Sequence, residues 1–212
     1  MRTVVRNIFL EFVTRYTQCV GWMYLDPQGM VRTGIGSLLE PIDRALVLPW
    51  VSKDDGRKGE LNEISADWVR VKKNRLLAHQ QPHRARFVTQ LELGKAGLEQ
   101  VTFAQLDAYE LELAAIFPHE AWEEYPANVQ LVVMSMVWEL RGVGELAGTW
   151  TPSLAGFAKA IREEAWATAA EHCFLDDRTD PSRKPRNWAH RKLLTVAATA
   201  EPEQLEKVTG WP

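Results

Sequence analysis

The stretch YLDPQGMVRTGIGSLL (residues 24–39) presents one carboxylate, Asp26, beside a tight turn, with Arg32, Thr33 and Ser37 following. Such a carboxylate can be one half of a glycosidase pair. A protonated acid serves the leaving oxygen, and a second carboxylate stabilises or traps the sugar cation or activates water. Such a pair needs a second carboxyl group. Glu11 lies fifteen residues upstream of Asp26, and Glu40 just beyond the stretch. Asp26 also has a structural reading, because an aspartate opening a proline-containing turn caps its own backbone. Arg32 divides the same way. It is either a solvated strand residue or the partner of Asp26 or of a ligand anion, and beside Asp26 it would hold that carboxylate ionised.

Other chemistries find little support. Gly34-Ile35-Gly36 lacks the third glycine and the βαβ frame of a dinucleotide fingerprint. His79, His83, His119 and His172 have no ligand spacing and read as surface or capping residues. No cofactor and no metal are therefore expected. Cys19 and Cys173 have neither a CxxC spacing nor a nearby histidine, and read as free thiols, with a single bridge as the alternative.

These residues need elements to position them. Val4, Val5, Ile8, Phe9, Phe12, Val13 and Tyr16 form a helical stripe. WMYLD and MVRTGIG flank Pro27-Gln28-Gly29 and predict a β-hairpin over 22–36. A short helix fits 39–48, a solvated loop 52–61, and helical spacing resumes through Ile64, Trp68, Val71 and Leu76. HQQPHRAR (79–86) reads as a break. Leu106, Tyr109, Leu113 and Ile116 make an amphipathic helix that Pro118 ends. ANVQLVVMSMVWEL (127–140) is apolar on nearly every side, the mark of a helix buried in a bundle. Two helices broken near Glu164 follow, then a last one with Pro185 at its start. The expected fold class is α+β, mostly α: a small N-terminal hairpin followed by a helical region.

In order along the chain, three stretches resemble the phage-type lysozyme family. YLDPQGMVRTGIGSLL is similar to that family's hairpin, which runs Tyr-x-Asp, a glycine turn, then Thr-x-Gly-(Ile/Val)-Gly and His or Asn. VVMSMVWEL with SLAGFAKAIREEAWATAAEH resembles its central buried helix and the Trp-x-x-Ala-Ala helix. PRNWAHRKLL resembles its C-terminal helix. The likeness spans residues 17–196, with 43–100 matching poorly and enlarged. It implies a two-lobed domain: an N-terminal lobe over 1–100, a connecting helix at 101–117, a helical lobe over 118–212, and a glycan cleft between the lobes.

The family's triad is only partly present. Asp26 matches the family aspartate. The acidic glutamate, nine residues earlier in the family, is Thr17 here. The threonine six residues after the aspartate is Arg32, and strand alternation turns Thr33 to the opposite face. Ser37 stands where His or Asn is usual. A hydroxyl cannot replace a carboxylic acid as proton donor near neutral pH, and general acid catalysis is worth typically about 10²–10⁴-fold. On a helix Glu11 points about 120° away from Thr17, so a one-residue shift does not bring it into place.

The resemblance thus implies a lysozyme-like protein that has lost classical muramidase activity and binds a glycan, a peptidoglycan fragment or a protein partner. Thr17, Tyr24, Arg32 and Ser37 would line the binding position. The competing expectation is an active peptidoglycan hydrolase with a rearranged acid, Glu11 or Glu40, opposite Asp26. Trp22 and Trp50 flank the hairpin and suit either sugar stacking or core packing, while Arg186, Asn187, His190 and Arg191 resemble the polar set of the family's final helix, which would support the fold.

The bulk numbers limit partners. The formal net charge of −3 gives no whole-chain electrostatic case for nucleic acid or an anionic membrane. No run of about 18 apolar residues predicts a membrane span, and the N-terminus is not read as a signal peptide. The protein is expected in the cytoplasm as synthesised, meeting a cell wall only through phage lysis or specialised secretion.

Overall fold

The computed structural model describes residues 1–117, 119–142, 152–178, 180–181 and 183–210. Pro118, read as a helix terminator, and the side chain of His119 lie outside the described set. The fold is α+β and mostly helical, with its antiparallel hairpin near the N-terminus and a helical C-terminal region. Two compact units divide the chain. One is Thr17–Gln105; the other joins Met1–Tyr16 to Leu106–Pro212. The first helix therefore counts with the C-terminal helices rather than with the hairpin, and the second division falls within a helix, after Gln105.

The unit Thr17–Gln105 holds all the strands among the described residues. β1 (Val20–Leu25), β2 (Val31–Gly34) and β3 (Ser37–Leu38) form an antiparallel sheet in that order. Tyr24 pairs with Arg32, Arg32 with Leu38, and Thr33 with Ser37. α2 (Asp43–Leu46) is a single turn, shorter than the helix expected over 39–48. β4 (Trp50–Ser52) pairs with β5 (Leu91–Leu93). At three residues each, these strands are too short to show an alternation, and they were not anticipated from sequence. Their core includes Met23, Leu25, Val31, Leu39, Trp50, Ile64, Val71, Leu91 and Leu93. Trp50 is fully buried, with its indole N–H donating to Ala45 O at 2.8 Å, so it packs and does not face a ligand.

α3 (Leu61–Lys73) buries Ile64, Asp67 and Val71 and ends in Arg70, Lys72 and Lys73, where cations suit the helix dipole. Glu63 turns back to accept the Glu60 amide at 2.9 Å, closing the first turn. The buried Asp67 accepts the amides of Gln90 (2.7 Å) and Leu91 (2.9 Å), which fixes the entry to β5 against α3. Of residues 79–86, read as a break, only Gln80 and Gln81 are non-helical; His79 ends a 3-10 helix, η1 (Arg75–His79), and the rest belong to a second, η2 (Pro82–Phe87). Proline at the start of η2 suits a first turn, whose amide has no helical partner. α4 (Lys95–Leu113) begins six residues before the expected start. Gly97 looks like a breaker, yet a Cβ there would meet Leu93 at 2.9 Å and Pro49 at 3.2 Å, so close packing accounts for it.

Helices are the only regular elements among the described residues of the other unit. It comprises α1 (Thr3–Thr14), the end of α4, α5 (His119–Glu124), α6 (Ala127–Leu140), α7 (Pro152–Arg162), α8 (Trp166–His172), α9 (Arg183–Thr199) and a closing 3-10 turn, Pro202–Gln204. α6 is buried on every face from residue 127 to 138 and packs against α1 and α9, as its all-round apolar pattern requires. Its polar interior residues are matched. Asn128 reaches the carbonyls of Leu193 (3.1 Å) and Thr209 (3.0 Å), and Gln130 reaches Trp122 O at 2.6 Å. The helix pair broken near Glu164 is present, with Glu164 at φ 53° between α7 and α8. Cys19 and Cys173 are free; burial pushes the Cys173 thiol up to about 12, where it is inert.

His190 on α9 is completely buried, with Nε2 2.9 Å from Ser135 Oγ. Burial, and next the nearby Arg186 cation, push it from 6.5 down to about 3. In the unfolded chain the ring takes a proton near pH 6.5, so below that pH the unfolded state binds more protons than the folded one. Stability is then full above about pH 6.5 and is lost progressively as the pH falls toward about 3. From pH 7 to pH 5 this one group is expected to remove about 2 kcal/mol. A pH series of thermal melts checks it: His190→Gln should flatten the slope between pH 7 and 5, and an unchanged slope would refute a neutral buried ring.

Candidate functional site

The hairpin is built around Asp26. Pro27 presets the turn and Gly29 supplies a φ of +76°. Gly29 N–H donates to Asp26 O at 2.8 Å, and Asp26 N–H to Met30 O at 2.9 Å. One oxygen of the Asp26 carboxylate, Oδ1, accepts the amides of Gln28 and Met30, both at 2.9 Å. The other, Oδ2, takes Arg32 Nε–H in a direct ion pair. Asp26 is 2% exposed and Arg32 9%.

Arg32 does more than neutralise Asp26. Its Nη1 donates to Gly36 O at 2.7 Å. Gly36 closes the second turn, where its amide donates to Thr33 O at 3.1 Å and both Gly34 and Gly36 have positive φ. The planar guanidinium thus ties the first turn of the sheet to the second. A carboxylate accepting two amides and a guanidinium is held in its ionised form. Its oxygens are committed to donors within the hairpin, which leaves it poorly placed to attack a sugar or to activate water. Of the two readings of Asp26, the turn-capping one is what the geometry displays.

The other residues singled out from sequence are distributed as follows. Tyr24 is half-buried on β1 opposite Arg32, and Thr17 is half-buried on the bend before β1. Ser37 is buried opposite Thr33. The hydroxyls of both, and of Thr102 on α4, have no hydrogen-bond partner among the described residues. β2 approaches α4 at Gly34, where a Cβ would lie 3.5 Å from Leu98 and 3.7 Å from Val101. Glu11 is on α1, 66% exposed, with Arg15 Nη2 at 3.3 Å across one helical turn. Trp22 is half-buried, its indole N–H donating to Pro82 O at 2.9 Å, and the charges of Lys53 and Arg86 lie 5.6 Å from its ring centre.

Glu40 is placed differently from a general acid. It accepts Val31 N–H at 2.8 Å and Lys72 Nζ at 2.6 Å. Partial burial raises its pKa, but the bonds from Lys72 and from the Val31 amide outweigh it and the net shift is downward. A general acid needs the opposite shift.

Lys72 escaped the sequence reading. Its Nζ also donates to Gly29 O at 2.8 Å, so it clamps the hairpin turn to α3. Arg75 was missed as well. Its guanidinium lies 2.7 Å from where a Cβ on Gly29 would stand, so the turn needs glycine for space as well as for φ. The only signal for either was the run of cations after Val71, which reads as a helix C-terminus.

Among the described residues no cluster of three or more His, Cys, Asp or Glu side chains is placed to hold a metal ion, and no helix is long and apolar enough to cross a membrane. No model of a known protein family matches the chain, and no curated protein matches it.

The Asp26–Arg32 pair makes a stability prediction. Removing one member of a buried ion pair strands the other and costs about 3–5 kcal/mol. At about 2–4 °C per kcal/mol for a chain of this size, Asp26→Ala should lower Tm by roughly 6–20 °C. Asp26→Ala combined with Arg32→Met should cost clearly less than the two single changes added together, because each single variant strands the other member's charge and the double variant strands neither. Thermal melts of all four proteins check this, and strict additivity would refute the coupling.

Proposed function

We propose that this chain is a non-hydrolytic, lysozyme-like module that binds a glycan or peptidoglycan fragment. The observation that carries the reading is the state of Asp26. Its carboxylate is buried, paired to Arg32 and bonded to two turn amides. The residue matching the family's catalytic aspartate thus serves the hairpin. The residue matching the family's acid is Thr17, which cannot protonate a leaving oxygen. Arg32, in the place of the water-positioning threonine, completes the pairing.

The competing hydrolase needs an acid opposite Asp26. Glu40 is poorly suited, since Lys72 and the Val31 amide favour its ionised form. Glu11 is exposed on α1, where Arg15 Nη2 lies 3.3 Å from its carboxylate. A protein partner for the same module is the other form this reading takes.

The test uses purified full-length protein and peptidoglycan sacculi. Chromatography of the soluble fraction is expected to show no released muropeptides, while the protein is retained on the sacculi in a pull-down. Thr17→Glu with Arg32→Thr restores the missing acid and threonine, and is expected to give detectable release. Release by the unmodified protein that Asp26→Asn abolishes would overturn the proposal in favour of the hydrolase. Absence of retention on sacculi or soluble glycan fragments would remove glycan as the ligand.

A further inference from the structure

The segment from α3 through η2 is electrically one-sided. From residue 68 to 91 the sequence holds no Asp or Glu, but it holds Arg70, Lys72, Lys73, Arg75, Arg84 and Arg86. Two of these cations are engaged inward, Arg70 with Asp67 and Lys72 with Glu40. Lys73, Arg75, Arg84 and Arg86 form no ion pair among the described residues, and all four are exposed.

Lys73 closes α3, and the 3-10 geometry explains how the exposed groups of η1 and η2 come to face outward. With three residues per turn, positions i and i+3 share a ridge. In η1 the inward position is Leu77, and Leu76 and His79 share an exposed ridge. In η2 the inward position is Ala85. His83 with Arg86 and Arg84 with Phe87 form two ridges, all four residues exposed. η1 and η2 pack against each other and against β1, so their inner sides are already occupied. Phe87 is 80% exposed and Leu76 73%. A large aromatic ring and a leucine left in water within a cationic segment have no role in the core of this unit.

We infer that η1 and η2 form a docking surface for an anionic lipid bilayer. The cations match a negative headgroup layer, and Leu76 and Phe87 supply side chains that enter its acyl boundary. A single-stranded polynucleotide would use the charges and stack a base on Phe87, but it offers the aliphatic Leu76 nothing comparable, and this difference selects the bilayer. Docking of this kind is peripheral and needs no spanning helix. It uses the enlarged part of the chain and does not involve Asp26, so it stands apart from the glycan proposal.

The experiment is vesicle co-sedimentation of the full chain. The probes are vesicles of phosphatidylcholine alone, and the same vesicles doped with phosphatidylglycerol. Binding is expected only to the doped vesicles, weakening as salt is raised above about 0.1 M. Lys73→Gln with Arg84→Gln removes two unpaired cations and should weaken binding at least about tenfold. Leu76→Ser with Phe87→Ser should weaken vesicle binding by a similar factor while leaving retention on a heparin column unchanged. All four positions are exposed, and circular dichroism melts confirm that the variants fold. No binding to doped vesicles overturns the inference. So does vesicle binding that the Leu76 and Phe87 changes leave intact, which would mark a polyanion surface instead.

Discussion

The hairpin depends on the ion pair between Asp26 and Arg32. Two charges out of water lose several kcal/mol each in hydration, and their mutual attraction repays that only when the remaining hydrogen-bonding sites are also filled. Here the Asp26 carboxylate takes two turn amides besides the guanidinium, and Arg32 spends a second donor on Gly36 O. The pair therefore does two jobs at once. It closes the 26–30 turn and anchors the Gly34–Gly36 turn to it. The same commitment weakens the case for chemistry. A carboxylate that serves as nucleophile or base must exchange its partners for substrate or water, and one that holds a turn together cannot exchange them without loosening that turn.

α3 closes the arrangement from the other side. Lys72 bonds Gly29 O and Glu40, Arg75 occupies the space beside Gly29, and Asp67 pins the amides that lead into β5. Apart from the Lys72–Glu40 ion pair, each of these contacts ends on backbone of the hairpin or of the residues that lead into β5. Side chains that bond backbone fix where the chain runs without needing a particular side chain in return. The positions that cannot vary freely are then Gly29, for its φ and its room, and the two charged pairs. Glu40, drawn into this clamp, is held as a carboxylate by Lys72 and the Val31 amide. The bonds that lock the hairpin to α3 are the same ones that shift the Glu40 pKa downward.

Much of this was legible in the residues, and what was not has identifiable physical causes. The all-apolar run of α6 and the Pro-Gln-Gly turn could be read because periodicity and turn chemistry are local. Asp26 could be read as a turn cap for the same reason. β4 and β5 could not, since three residues carry no period and their pairing joins Trp50 to Leu93 across 43 positions. α4 starts ahead of Gly97, a residue that locally suits a break, and the contacts a Cβ there would make with Pro49 and Leu93 come from other elements. Residues 79–86 read as a break because proline and glutamine do suit one, whereas short 3-10 turns need no long periodic signal. The hairpin pairing was available from the spacing of Asp26 and Arg32, but Lys72 was not, because nothing local links it to Glu40, 32 positions earlier.

The net charge of −3 shows how a bulk number can mislead about partners. It is a sum over 212 residues, and electrostatic attraction at about 0.15 M salt acts over about 8 Å. A surface therefore responds to the charges nearest to it. Twenty-four successive residues without a carboxylate, among them two short 3-10 turns that expose Arg75, Arg84 and Arg86, concentrate positive charge locally. The apolar groups add a second requirement, because Leu76 and Phe87 gain nothing from charge alone. A surface that satisfies both must be negative outside and apolar just beneath. The whole-chain balance speaks to solubility and self-repulsion, and the exclusion of anionic surfaces drawn from it holds only where charges of both signs are evenly mixed.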